Sequence, residues 1–254
     1  MRIAVIGDIH SNTLALEGAL NKVNALGYDH LVLLGDLFSY GLDPVEILNT
    51  VKELVDTQST SLLMGNHDWL YARPEVETAE YFERLPDWIK ESIAWTRQQL
   101  SGLGQYELPW LERTTVERVF FAHANASSFG DWGYLNTEEE VLQAAREIES
   151  LKLSLGVFGH THRQRISTVK DGEVVLQTSS SMLTEKNTTY VVNAGSPGQP
   201  RNRERQSCVL LIEHQSEGVK LDLVPFEYDR IAVREQISNS ELSEQTKKKL
   251  VGYY

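Results

Sequence analysis

The chain has 254 residues, 41% of them hydrophobic and 24% charged, enough to bury a core and too apolar for a disordered polymer. Its formal net charge of −12 argues against a surface that wraps long nucleic acid, yet it admits a small phosphate compound held beside bound cations. The single cysteine, Cys208, excludes an internal disulfide and a thiolate metal cluster. Its apolar setting reads as a buried strand, with the thiol a small core group.

In chain order, Ile3–Ile6 is a short β-branched run read as a buried strand. Asn12 and its neighbours supply helix-capping side chains before an apolar-periodic stretch that Gly27 ends. Leu31–Leu34 is a second strand, and Asp43-Pro44 opens a second helix that runs to Val55. Ser61–Met64 is a third strand, completing a βαβαβ rhythm that implies a parallel or mixed sheet covered by helices. Residues 69–113 break this rhythm and read as an aromatic, Glu-rich helical insertion. Val116–Ala122 is expected as one strand, Glu138–Leu151 as an amphipathic helix and Leu155–Phe158 as a strand. Beyond it the chain turns β-rich. Arg165–Val169 and Val174–Thr178 are joined by Asp171-Gly172, a hairpin turn, and strands at Tyr190–Asn193, Val209–Ile212 and Val219–Val224 follow. One polar helix over Ser238–Leu250 closes the chain, so residues 1–230 form the main domain and 231–254 a helical tail. No apolar run approaches the roughly 20 residues of a membrane span, and Met1–Asp8 lacks a signal-peptide pattern, so a cytoplasmic location is expected.

The polar residues that stand at strand ends carry the chemistry. Asp8, Asp36, Asn66, His123 and His160 each follow an apolar run, usually behind a small residue, and open α/β sheets bring such ends to one crevice. Five of the seven histidines, His10, His67, His123, His160 and His162, fall there. Taken singly, an aspartate after a strand is a turn former and a histidine a hydrogen-bonded core residue. Taken together they form a donor set of carboxylate, imidazole and amide oxygen without thiolate, suited to divalent manganese, iron, zinc or nickel. Seven such groups exceed the usual protein ligands of one ion and suit two ions that share a carboxylate, a clamp for attack at phosphorus when the ions lie about 3.5–4 Å apart.

At these residues the sequence resembles the calcineurin-like metallophosphoesterase superfamily. The motifs stand in the family's order: Gly7-Asp8-Ile9-His10, Gly35-Asp36, Gly65-Asn66-His67-Asp68, Ala122-His123 and Gly159-His160-Thr161-His162. The resemblance implies a four-layer αββα sandwich of two mixed sheets flanked by helices. It also implies that Asp8, His10 and His162 hold one metal, that Asn66, His123 and His160 hold a second, and that Asp36 bridges them. His67 would act as the catalytic histidine at the leaving oxygen, with Asp68 orienting it. The implied activity is hydrolysis of a phosphodiester or nucleotide phosphoanhydride by metal-bound hydroxide. The alternatives are a phosphomonoesterase or protein phosphatase, and a catalytically silent metal-binding scaffold. Tyr40 stands where protein phosphatases and symmetrical dinucleoside tetraphosphatases carry a phosphate-gripping arginine, which favours the small prokaryotic phosphodiesterase-like branch. Dimerisation is a family-level expectation.

Substrate contacts are less determined. Arg201 leads a basic island with Arg203 and Arg205, which reads either as a phosphate grip or as a solvated loop balanced by Glu204. Arg163 is ambiguous in the same way. Asn12 either donates to a phosphate oxygen or caps its helix. Trp69, Tyr71, Trp88, Trp95 and Trp110 offer either a base-stacking face or a core. The expected partner is a small phosphoester or nucleotide, with no stable nucleic-acid complex and no membrane.

Overall fold

The computed structural model describes residues 1–73, 75–103 and 108–254, so Pro74 and residues 104–107 of the expected insertion lie outside the described residues. The first half supplies β1 (Arg2–Ile6), α1 (Thr13–Leu26), β2 (His30–Leu33), α2 (Pro44–Thr57) and β3 (Thr60–Leu62). Next come α3 (Asn66–Ala72), α4 (Glu75–Glu83) and α5 (Asp87–Gln99), then β4 (Arg113–Val116), β5 (Val119–Ala122), α6 (Glu138–Ser150) and β6 (Leu155–Phe158). The remainder is β7 (Arg165–Lys170), β8 (Glu173–Leu176), β9 (Ser181–Leu183), β10 (Thr189–Asn193), β11 (Ser207–His214), β12 (Val219–Phe226), α7 (Arg230–Ser238) and α8 (Glu244–Val251). The strands form two mixed six-stranded sheets, ordered β3-β2-β1-β11-β12-β9 and β4-β5-β6-β10-β7-β8.

Alternation along the central strands explains the layers. Ile3, Val5, Val32 and Leu34 face the second sheet, where Phe121, Val157, Tyr190 and Val192 meet them in a shared core. Ala4, Ile6, Leu31 and Leu33 point the other way, onto Leu16, Val23, Ile47 and Val51 of α1 and α2. Phe120, Phe158 and Val191 leave the second sheet on its far side and pack against Val141, Ala145 and Ile148 of α6. Each central strand is thus buried on both faces, which is why these runs read as continuously apolar. The result is the expected four-layer αββα sandwich. Cys208 sits in the inter-sheet core, where burial pushes its thiol up to about 12 and its Sγ–H donates to Ala194 O at 3.0 Å.

Four differences from the sequence reading have local causes. The stretch Val116–Ala122 is not one strand but the end of β4, a turn and β5, because Glu117 and Arg118 take φ of 47° and 64° and close a tight antiparallel hairpin without glycine. The insertion begins earlier than expected, since α3 starts at Asn66 directly after Gly65. The closing helix is two helices: Asp229 caps α7 and Ser243 caps α8, with residues 239–243 between them. The short edge strand β9, paired antiparallel to β12, carries too few residues for a visible pattern.

The tail is packed, not loose. Val233, Ile237, Leu242, Leu250 and Tyr254 form one apolar cluster with Tyr40, against which Trp88 and Trp95 of α5 also pack. Glu91 of α5 ties the junction, accepting from Ser243 N and Ser243 Oγ at 2.6 Å each and from the Thr246 hydroxyl. Although partial burial opposes its charge, these donors hold the Glu91 carboxyl below the usual glutamate range. Such a group stabilises the fold above its ordinary pKa, and that contribution is lost as pH falls through the folded value. Glu91→Ala should therefore lower stability at neutral pH by about 1 kcal/mol. Denaturant midpoints of the two proteins should converge below the glutamate range, and an unchanged midpoint at pH 7 would remove Glu91 as the tie.

Candidate metal centre

The parallel strands of both sheets end at one rim. β1, β2 and β3 run parallel in the first sheet, and β5, β6 and β10 in the second, so the loops after them converge. The turn after β1 is stitched to that after β2 by Asp8 N to Gly35 O (2.9 Å), His10 N to Asp36 O (3.0 Å) and Ser11 N to Leu37 O (2.7 Å). To present their side chains inward, Asp8, His10, Asp36, His160 and His162 all adopt positive φ, between 51° and 62°. Non-glycine residues rarely hold this left-handed conformation, and five together mark a site where the surroundings impose it. Two glycines make room: a Cβ on Gly65 would strike the Asp36 carboxylate, and one on Gly159 would lie 2.6 Å from Asp8 Oδ2.

The structure brings the expected donors into two buried groups, Asp8, His10, Asp36 and His162 in one and Asp36, His123 and His160 in the other, with the donor atoms of each within 4.8 Å of one another. Asp36 belongs to both. Its Oδ1 accepts His67 N at 2.8 Å, while Oδ2 lies 3.7 Å from His10 Nε2 and 3.4 Å from His123 Nε2. Asn66 joins the second group by placing Oδ1 3.0 Å from His123 Nε2, its amide being held by Nδ2 donation to Tyr81 OH at 2.8 Å. No donor of the set is more than 6% exposed.

The imidazoles are oriented by backbone carbonyls. His10 Nδ1 donates to Phe38 O (3.0 Å), His123 Nδ1 to Leu34 O (2.8 Å) and His162 Nδ1 to Gln199 O (2.8 Å), so each aims Nε2 at the cluster. His160 is reversed: Nε2 donates to Trp132 O at 3.0 Å, leaving Nδ1 as the nitrogen that could serve a metal. The Nε2 atoms of His10 and His162 then stand 3.0 Å apart. Two lone pairs at that separation repel unless a cation or a proton lies between them, and this pair is the observation that fits the set to divalent metal. Burial holds His10 and His162 well below the usual histidine range, and burial with the neighbouring His123 takes His160 to about 3, so these rings are neutral at pH 7, the form a metal would require. Burial also disfavours a charged His123, but the carboxylates of Asp36 and Asp8 outweigh it and lift that ring to about 9. A proton on His123 there neutralises the carboxylates in the way a bound cation would, and metal binding would displace it.

The residues expected around the donors fall in unequal places. His67 lies in neither donor group. Its ring, 5.2 Å from that of His10, is held by Ser39 Oγ at Nδ1 (2.9 Å) and Tyr40 OH at Nε2 (3.0 Å). Asp68 does not orient it. That carboxylate instead accepts the amides of Asp36 (2.6 Å), Leu37 (2.9 Å) and Gly65 (3.0 Å), bracing the turn that carries Asp36 against the start of α3. Short reach decides this, because an aspartate three residues into a helix folds back onto its own cap. Asn12 is a cap: Oδ1 accepts from Ala15 N at 3.0 Å, and Nδ2 is committed to Gly198 O and Tyr228 OH at 3.2 Å each. Arg201 borders the site, its amide donating to His162 O at 2.9 Å and its guanidinium to Gln199 Oε1.

Several contacts had no usable signal. Ser39 and Tyr40, at φ of 72° and 69°, stood in a motif without revealing that they grip His67. Trp132 and Tyr134 lie in an aperiodic loop, yet Trp132 holds His160 through its carbonyl and Tyr134 stacks on that ring at 4.4 Å. Of the insertion aromatics, Trp69 packs beside Tyr81 and Trp132 near the cluster, Tyr71 is core, and Trp88 stacks on Tyr40 at 5.6 Å.

Comparison with known proteins agrees with this architecture. Residues 1–216 match the calcineurin-like phosphoesterase superfamily domain. An uncharacterised protein of Methanocaldococcus jannaschii is 28% identical over 95% of this chain and 94% of its own. A symmetrical bis(5'-nucleosyl)-tetraphosphatase of Proteus mirabilis is 30% identical over 59% of this chain and 52% of its own. The crystal structure of a metallophosphoesterase from Sphaerobacter thermophilus superposes with a TM-score of 0.75 at 24% identity, covering 100% of both chains. That of a hypothetical protein from Pyrococcus horikoshii superposes with a TM-score of 0.76 at 20% identity, covering 98% of this chain and 97% of its own. With the match covering every strand but β12 and every residue of the donor set, the chain belongs to the calcineurin-like phosphoesterase superfamily.

Proposed function

We propose that this protein hydrolyses phosphodiester or nucleotide phosphoanhydride bonds with two divalent cations held by Asp8, His10, Asp36, Asn66, His123, His160 and His162. The observation that carries the reading is the shared carboxylate: two donor groups meet at Asp36, with the His67 ring close beside them. Cations in these groups would neutralise charge at phosphorus and lower the pKa of a water at the site. The chain's own residues do the rest. Asp36, Asp8 and the imidazoles set the position of the charge, and their burial excludes bulk water from it.

His67 is the proton donor to the leaving oxygen in this reading. Burial lowers the pKa of its ring against the opposing pull of Asp36, so the protonated ring gives up its proton readily, and burial keeps the Tyr40 phenol protonated beside Nε2. Tyr40 contributes no positive charge where an arginine would grip a dianionic monoester, which favours diesters and anhydrides over protein phosphomonoesters. The part-length similarity to a dinucleoside tetraphosphatase supports the anhydride branch of this reading. No helix among the described residues is long and apolar enough to cross a membrane.

Chelator-stripped protein given back manganese should hydrolyse a chromogenic diester faster than the matching monoester. Asp36→Asn prepared in the same way should lose more than the 10–100-fold typical of an indirect contact. Equal rates in the two proteins would put the chemistry elsewhere.

A second expectation separates proton delivery from metal binding. His67→Ala should lower kcat by about 10²–10⁴-fold and Tyr40→Phe by about tenfold, the worth of one hydrogen bond. Metal content by elemental analysis should stay at the wild-type level in both. Loss of metal in Tyr40→Phe would reassign that residue to holding the cluster.

A further inference from the structure

An acidic protein spends six of its 24 basic residues on one cavity. Arg163, Arg201, Arg203, Arg205, Lys248 and Lys249 line a space of about 970 Å³ between the loop after β10 and helix α8, and no carboxylate lines it. Among the described residues none of the six has an acidic partner within 4.0 Å, although seven other ion pairs between basic and acidic side chains do form, histidine contacts aside. Like charges gathered without counter-charges cost free energy, so the arrangement is explained by an anion that completes it.

The cavity borders the segments that carry the metal centre. Arg201, which lines it, donates its amide to His162 O at 2.9 Å and lays its guanidinium over the Tyr253 ring at 5.4 Å. Tyr253 packs on Trp88 at 6.2 Å, Trp88 on Tyr40 at 5.6 Å, and Tyr40 bonds His67. We propose that this cavity binds a chain of phosphates, the distal part of a polyphosphorylated compound whose scissile bond lies at the metal centre. Arg203 offers a forked donor matched to phosphate oxygens, Arg163, Arg201 and Arg205 keep N–H groups beyond those given to Arg201 O, Gln199 Oε1 and Gly252 O, and the two lysines add point charges on the far side. A long nucleic acid is disfavoured by the net charge of −12 around this island. The site itself stands on the cavity and its charges, whereas its role as a substrate subsite rests on the function proposed above.

Tripolyphosphate binding to the full-length protein, measured by calorimetry, tests the site directly. One variant combines Arg203→Gln, Lys248→Gln and Lys249→Gln, all exposed side chains. A control removes the same charge elsewhere by Arg146→Gln, Lys170→Gln and Lys186→Gln, also exposed. Binding should weaken at least tenfold in the cavity variant and stay within about twofold in the control, and wild type should bind tripolyphosphate more tightly than orthophosphate. Equal weakening in both variants, or no binding by wild type, would overturn the proposal. Competitive inhibition of diester hydrolysis by tripolyphosphate would support the subsite, and inhibition through kcat alone would overturn that part and leave a separate anion site. If no phosphoester is turned over, the function reading fails while the calorimetry still decides the cavity.

Discussion

The Asp36 carboxylate is the group on which the rest of the centre is assembled. One oxygen accepts the His67 amide at the head of α3, and the other faces His10 from one donor group and His123 from the other. A carboxylate so deeply buried survives as an anion only because its surroundings are cationic or donate hydrogen bonds, and above all the charge and hydrogen bond of His123 hold it well below the usual aspartate range despite burial. Its position is imposed twice more. The Asp68 carboxylate pins its amide, and Gly65 leaves no atom where a side chain would displace it. A change at Gly65 or Asp68 would thus be felt at Asp36 although neither residue belongs to the donor groups.

Concentrating this many polar groups at no more than 6% exposure is costly for a fold, and the compensation is visible in the backbone. Five donor residues in left-handed geometry store local strain, while the amide-to-carbonyl bonds between the β1 and β2 loops, and from Ser196 Oγ to Asp8 O at 2.7 Å, return part of it. The apolar sandwich core beneath is rigid enough to hold the loops in register. Function and stability therefore draw on the same strands, from opposite ends.

Aromatic side chains close the centre from two sides. Trp69, Tyr81, Trp132 and Tyr134 cover the His123, His160 and Asn66 side, and Tyr40, Trp88 and Tyr253 connect the His67 side to the tail helices. The insertion and the C-terminal helices, which look peripheral in the chain order, both reach the chemistry through these rings. Packing against Tyr40 gives the tail a place in the site that its polar composition hides.

The sequence alone named the candidate donors and determined the architecture. Apolar runs ending in Gly-Asp, Gly-Asn-His-Asp and Gly-His-Thr-His name the strand ends, and side chains at strand ends share a rim whenever the strands run parallel. It did not determine what holds those donors, because the partners of His67, His160 and Asp36 come from residues that no local pattern distinguishes. Ser39, Tyr40 and the Trp132 carbonyl matter only through distances set when separate segments pack. The role expected of Asp68 failed for the same reason, since adjacency in the chain placed it beside His67 while the helix turned its carboxylate toward Gly65 and Asp36. The basic island at Arg201, Arg203 and Arg205 was legible as charge, but its completion by Lys248 and Lys249 was decided by tertiary structure, which folds a helix more than forty residues away against the same cavity.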